Sequence, residues 1–198
     1  LSLTSDDQIE TLLLFIFQLD SYNLEKVLDK YITQIGLERT MMELIYPLLE
    51  RLGIAWLTGS FQGAHESFVG QIIKAKILSE TDKLKNQSDY TPKYLIFLPK
   101  GEKQELSLLY MNYLLKKNKV KVVNLGEEAN LLDIIEACKI VKPDYLFTII
   151  NNEQESLSFQ NYINEIGSVL GHASLVVTGY LPLTQKIDWP KKTIILKS

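Results

Sequence analysis

Two periods divide the 198-residue chain. From Asp6 to Leu84 the apolar residues recur every three or four positions, and no stretch alternates as a half-buried strand does. That spacing predicts four helices, at about 5–19, 21–35, 37–57 and 62–84. Asp20 or Ser21 is placed to cap the second, and Ile35-Gly36 stops it. Gly59 and Gly63 bracket the break before the fourth. Pro47 lies inside the third and predicts a kink or a local break, because proline lacks the N–H a helix interior uses. Short connections between such helices favour an up-and-down four-helix bundle, a domain over residues 1–84.

The polar stretch KNQSDYTP at 85–92 reads as a linker, and the pattern changes after it. KYLIFLP (93–99), VKVVNLG (120–126), DYLFTII (144–150), ASLVVTG (173–179) and TIILKS (193–198) are short, mostly apolar runs. Amphipathic segments at 103–118, 130–142 and 153–170 separate the first four, and a shorter one follows near 181–188. The alternation predicts βαβ units. Residues 93–198 are therefore expected to form a Rossmann-like, flavodoxin-like domain with a five-stranded parallel sheet covered on both faces.

Composition narrows the function classes. An apolar fraction of 46% with 23% charged residues is that of a folded, soluble protein. A net charge of −3 and a pI of about 5.5 give no electrostatic footprint for reading nucleic acid. The longest apolar run, TLLLFIF, is too short to span a bilayer, so no membrane role is expected. The lone cysteine, Cys138, excludes an internal disulfide and a Cys-rich zinc site, and its apolar helical stripe predicts core filler. A cytoplasmic location follows as an expectation. The start at Leu1 instead of Met suggests that an upstream part is missing.

Ligands of open parallel sheets bind outside the carboxyl ends of the strands. The loops expected there are PKGEKQELS (99–107), LGEEAN (125–130), INNEQES (150–156) and TGYLP (178–182), and none is a Gly-rich phosphate cradle. Two histidines and one cysteine assemble no triad. Glu102, Glu127, Glu128 and Glu153 are expected to be solvated loop carboxylates more than an acid–base pair. His172 precedes a strand, away from those loops, and reads as a surface or packing residue. The KKNKVK run at 116–121 reads as a solvated helix C-terminus.

The order of bundle, linker and α/β domain resembles the cobalamin-binding module of methionine synthase, of corrinoid methyltransferase subunits and of light-sensing MerR-like repressors. The resemblance implies a bundle capping the upper face of a corrin ring and an α/β domain holding its lower face and nucleotide tail. Photoreceptor members carry Trp, nine residues, then Glu-His; here Trp56 is followed by nine residues and Glu66-Ser67. His65 lies two positions from Ser67, about 200° around a helix, so its ring is expected to face elsewhere. In the family's D/E-x-H-x-x-G loop, Glu102 matches, Gln104 stands for the cobalt-ligating histidine and Ser107 for the glycine. Thr148-Ile149-Ile150 resembles the family's Ser-x-Leu at the tail slot, and Thr178-Gly179 its Gly-Gly. Side chains at Ser107 and Thr178 are expected to narrow the tail channel.

The resemblance implies an effector and self-association module of a MerR-like transcription regulator, with DNA contacted through an upstream domain and a regulatory protein as a further partner. Four altered positions imply that histidine-ligated cobalamin binding is lost, so no cofactor and no enzymatic reaction are expected. Trp56 and Glu66 are then either packing and capping residues or contacts of some other ligand. The alternative is a cobalamin-binding photosensor or carrier that uses a base-off mode without a histidine ligand. A corrinoid methyl-transfer subunit is the third class, and Gln104 argues against it.

Overall fold

The change of period near residue 90 is a change of architecture. The computed structural model describes residues 5–84, 92–151 and 156–197, and the chain divides into two units, Leu1–Glu80 and Thr81–Ser198.

The first unit is helical: α1 (Ser5–Phe17), α2 (Ser21–Thr40), α3 (Tyr46–Leu57) and α4 (Gly63–Asp82). Asp20 caps α2, its carboxylate accepting from the Asn23 backbone N–H at 3.1 Å. Leu24, Leu28 and Ile32 on α2, and Val69, Ile73 and Ile77 on α4, are buried at every fourth position. Each such side chain contributes roughly 1.5–3 kcal/mol by leaving water. The stop at Gly36 is a single residue with φ 81° and ψ 162°, a backbone glycine adopts without steric cost, and helix resumes at Leu37.

The disruption expected at Pro47 takes the form of a π-turn, Met41–Ile45, joining α2 to α3. There the Tyr46 N–H donates to the Met41 carbonyl, five residues back. Pro47 has no N–H, and its ring would crowd the carbonyl of Glu43 in a regular α-helix. The wider turn just before the proline relieves that conflict.

The second unit alternates β1 (Lys93–Phe97), α5 (Glu105–Lys117), β2 (Lys121–Asn124), α6 (Leu131–Val141), β3 (Tyr145–Ile149), α7 (Ser156–Val169), β4 (Ser174–Thr178), α8 (Leu181–Thr184) and β5 (Thr193–Ile195). All pairings are parallel in the order β2-β1-β3-β4-β5, the expected doubly wound sheet. Leu95, Phe97, Leu146, Leu175 and Val177 pack with Ile134 of α6 and with Phe159, Ile163 and Ile166 of α7. Ile96, Leu98, Phe147, Ile149 and Val176 pack on the other face with Leu108, Met111 and Leu115 of α5.

Two expectations are corrected. The segment near 181–188 is helical only over Leu181–Thr184, because Gln185 is already extended. The last strand ends at Ile195 rather than 198. The linker at 85–92 lies, except for Pro92, outside the described residues. No helix among the described residues is long and apolar enough to cross a membrane.

Candidate functional site

The sequence points to one face of each unit. On the helical unit, α3 ends in a turn that carries Trp56, half exposed at 49%. Ser60 and Phe61 both donate their N–H to the Ala55 carbonyl, which folds Phe61 back toward α3. The Trp56 ring then meets Phe61 edge-on at 5.9 Å between centroids. Phe61 stacks on His65 at 5.7 Å, and His65 meets Phe17 of α1 edge-on at 5.6 Å. Four aromatic rings thus run in a row from α3 through the turn and α4 to α1.

His65 is fixed in this row by its Nδ1, which accepts from the Gln62 backbone N–H at 3.2 Å. An imidazole accepting at Nδ1 carries its proton at Nε2 when neutral. Glu66 and Ser67 follow in the first turn of α4 and are exposed. Phe17 and Phe61 were absent from the sequence-derived set. Their only signal is a phenylalanine in the Trp56–His65 turn and another ending α1.

On the α/β unit, the loops at the carboxyl edge of the sheet are tied together in sheet order. Glu128, in the loop after β2, accepts through Oε1 from the Gly101 N–H after β1, at 3.1 Å. Glu102, after β1, accepts through Oε1 from the Asn151 N–H after β3, at 3.0 Å. Asn151 in turn accepts through Oδ1 from the Tyr180 N–H after β4, at 2.6 Å. Each side chain takes the backbone donor of the next loop, from β2 across to β4. Glu102 is 2% exposed, so its bond lies in a low-dielectric setting where an unmet charge would be costly.

The remaining residues of this edge have these places. Gln104 is half-buried at the N-terminus of α5, its Oε1 accepting locally from the Lys103 N–H at 3.2 Å. Ser107 is exposed in the first turn of α5. Ile150 is buried; its N–H donates to the Thr178 carbonyl and its own carbonyl accepts from the Leu181 N–H. Thr178 directs its hydroxyl sideways to the Leu196 carbonyl at 3.2 Å. Gly179 has φ 116°, and a Cβ there would lie 2.7 Å from Asn151 Oδ1 and closer still to the Ile150 carbonyl oxygen. Thr148, 1% exposed, has a buried hydroxyl without a hydrogen-bond partner among the described residues.

Of the loop carboxylates, Glu102 and Glu128 are ties between loops, Glu127 is exposed, and Glu153 lies outside the described residues. Solvation is therefore the wrong description of Glu102: its side chain is buried, and the Asn151 N–H donates to its carboxylate. Asn151 was missed in the sequence. Its only signal is an Asn pair directly after an apolar strand. His172 is exposed, 3.5 Å from Asp144 and beside the start of β4. Cys138 is buried in the core between α6 and α7, and burial pushes its thiol up to about 11. Among the described residues no group of His, Cys, Asp and Glu is arranged to hold a metal ion.

No known protein family and no curated protein matches the sequence. Solved structures do. The monomethylamine corrinoid protein of Methanosarcina barkeri superposes with a TM-score of 0.66 at 10% identity, over 93% of this chain and 91% of that one. A cobalamin-binding protein of Desulfitobacterium hafniense DCB-2 gives 0.40 at 15% identity, over 87% and 84%. The methanol:cobalamin methyltransferase complex of Methanosarcina barkeri gives 0.44 at 11%, over 98% and 80%. The first likeness shows that this chain shares the fold of that corrinoid protein.

Proposed function

We propose that this chain is a non-enzymatic effector and self-association module of a MerR-like transcription regulator, built on the cobalamin-binding fold without its histidine-dependent grip on a corrinoid. The loop after β1 carries this reading. A ligating imidazole needs an oriented ring and a neighbouring acceptor for its second nitrogen. Position 104 offers a carboxamide engaged with the Lys103 backbone, and the nearby carboxylate, Glu102, is committed to the Asn151 N–H. A neutral carboxamide is a poor ligand for cobalt compared with imidazole. The donor set does not fit a histidine-ligated corrinoid. The regulator part of the reading is supported by Trp56 and Glu66, whose nine-residue spacing matches the photoreceptor repressors. Its DNA-binding segment would lie upstream in a longer protein. A ligand or partner that binds one assembly state better than another would shift DNA affinity by the difference.

Thr148 favours a second reading, base-off corrinoid binding without a histidine. Its buried, unsatisfied hydroxyl is the kind of atom a ligand's acceptor would satisfy. One experiment separates the two. The protein is mixed with adenosylcobalamin in the dark, desalted and its visible spectrum recorded. The first reading expects the corrinoid to leave with the small molecules; near-stoichiometric co-elution would establish the second. A full-length gene product lacking an upstream DNA-binding segment would remove the regulator role.

A further inference from the structure

The sheet ends on β5 in an open edge. Ile194, Ile195 and Leu196 are 44%, 36% and 39% exposed, a run of apolar side chains along an outermost strand. Two links to β4 fix which way each residue bonds. The Lys192 carbonyl accepts from the Leu175 N–H, and the Leu196 N–H donates to the Val177 carbonyl. Backbone groups alternate sides along a strand, so residues 192, 194 and 196 bond inward while 193, 195 and 197 turn outward. The Thr193 N–H is already given to the Pro190 carbonyl at 3.0 Å. Left at the edge are the N–H and C=O of Ile195, the C=O of Thr193 and the N–H of Lys197, none with a hydrogen-bond partner among the described residues.

We propose that β5 pairs antiparallel with β5 of a second copy, about a two-fold axis normal to the sheet at Ile195. Such an axis reverses the strand and keeps every side chain on its own face, so residues equally far before and after Ile195 stand opposite each other. The two Ile195 residues then exchange both of their bonds, and each Lys197 N–H donates to the partner's Thr193 C=O. All four leftover groups of each copy are used. The side chains select the same register. Ile194 meets the partner's Leu196 on one face and Ile195 meets its own copy on the other, so the exposed apolar residues cover one another. Lys197 stands opposite Thr193, and no lysine faces a lysine. An axis at Ile194 would ask for the Thr193 N–H, and one at Leu196 would set Ile195 against Lys197. A strand of 3 residues covers far less than the ~1,200 Å² of a tight interface, so the pairing is weak and concentration-dependent. The pairing gives a surface to the self-association proposed above and rests on that reading.

Sedimentation equilibrium across a concentration series tests it, with circular dichroism confirming that each variant is folded. Ile195→Pro removes only an outward N–H, a change an edge strand tolerates, yet it breaks both bonds at the axis and is expected to weaken dimerisation about tenfold or more. Ile195→Lys sets like charges opposite each other and is expected to weaken it comparably while leaving the backbone N–H in place. Under mild oxidation Ile195→Cys cross-links to its copy, whereas Thr193→Cys, about 13 Å from its own copy along the strands, does not. A dimer that folded Ile195→Pro and Ile195→Lys leave unchanged, or that Ile195→Cys fails to link, overturns this edge and leaves the self-association reading standing. A monomer at every concentration overturns both.

Discussion

Gly179→Ala is the sharpest test of how the carboxyl edge is held. At φ 116° an alanine is outside the backbone regions L-residues favour, a strain of about 1–3 kcal/mol. Its methyl would also overlap the Ile150 carbonyl oxygen and Asn151 Oδ1, so the loop after β3 must move. That movement breaks the 2.6 Å bond to the Tyr180 N–H and disturbs the 3.0 Å bond to Glu102. Losing a bond to a buried carboxylate costs about 1.5–3 kcal/mol. Together the expected loss is about 3–5 kcal/mol, or roughly 10–20 °C in the melting temperature of a unit this size. Trp189 reports it, since it packs on the core of the α/β unit, edge-on to Phe159 at 6.4 Å. A Trp56→Phe background removes the other tryptophan, which lies in the helical unit. Urea unfolding of Gly179→Ala is compared with Gly171→Ala, a positive-φ site (58°) where nothing lies within 4 Å of a new methyl. The control is expected to cost about 1 kcal/mol. If both variants lose the same small amount, the close approach at Gly179 does not hold the edge together.

Two further predictions follow. Lys76 on α4 bridges Glu25 and Asp29 on α2 at 2.9 Å each; burial opposes its charge, but the hydrogen bonds and charges of Asp29 and Glu25 outweigh it and raise its pKa. A raised folded value means that the contribution is complete below the unfolded pKa of ~10.4 and is lost as pH climbs through the folded one. Lys76→Met is expected to cost about 1 kcal/mol at neutral pH, discounted for the exposed acids, and to flatten the alkaline limb of the stability curve. Thr148→Val removes an unsatisfied buried hydroxyl and is expected to stabilise the α/β unit by about 1 kcal/mol in urea titrations; destabilisation of that size would show that the hydroxyl has a partner.

Much of the architecture was legible because local signals and tertiary context agreed. The apolar runs of β1, β3 and β4 are buried on both faces, so their length alone marked them. Gly36 marked a helix stop because only its φ satisfies the break. Pro47 announced a disturbance, but its form was illegible: a π-turn depends on how the flanking helices pack, and proline chemistry permits several solutions. The site was less legible. Glu102 was marked by its loop position, yet its acceptor role toward Asn151 depends on β1 and β3 being neighbours, which no stretch of sequence encodes locally. The hydroxyl of Thr178 goes to the Leu196 carbonyl, a partner supplied by the pairing of β4 with β5 and not by any local signal.

The three bonds from Glu128 through Glu102 and Asn151 to Tyr180 have a mechanical consequence. They run in series across four strands, so a loop lifts from this edge only by giving up a bond to its neighbour. The Glu128 tie is exposed and exchanges with water, whereas Glu102 is buried, so the hem parts more easily at its β2 end than at its middle.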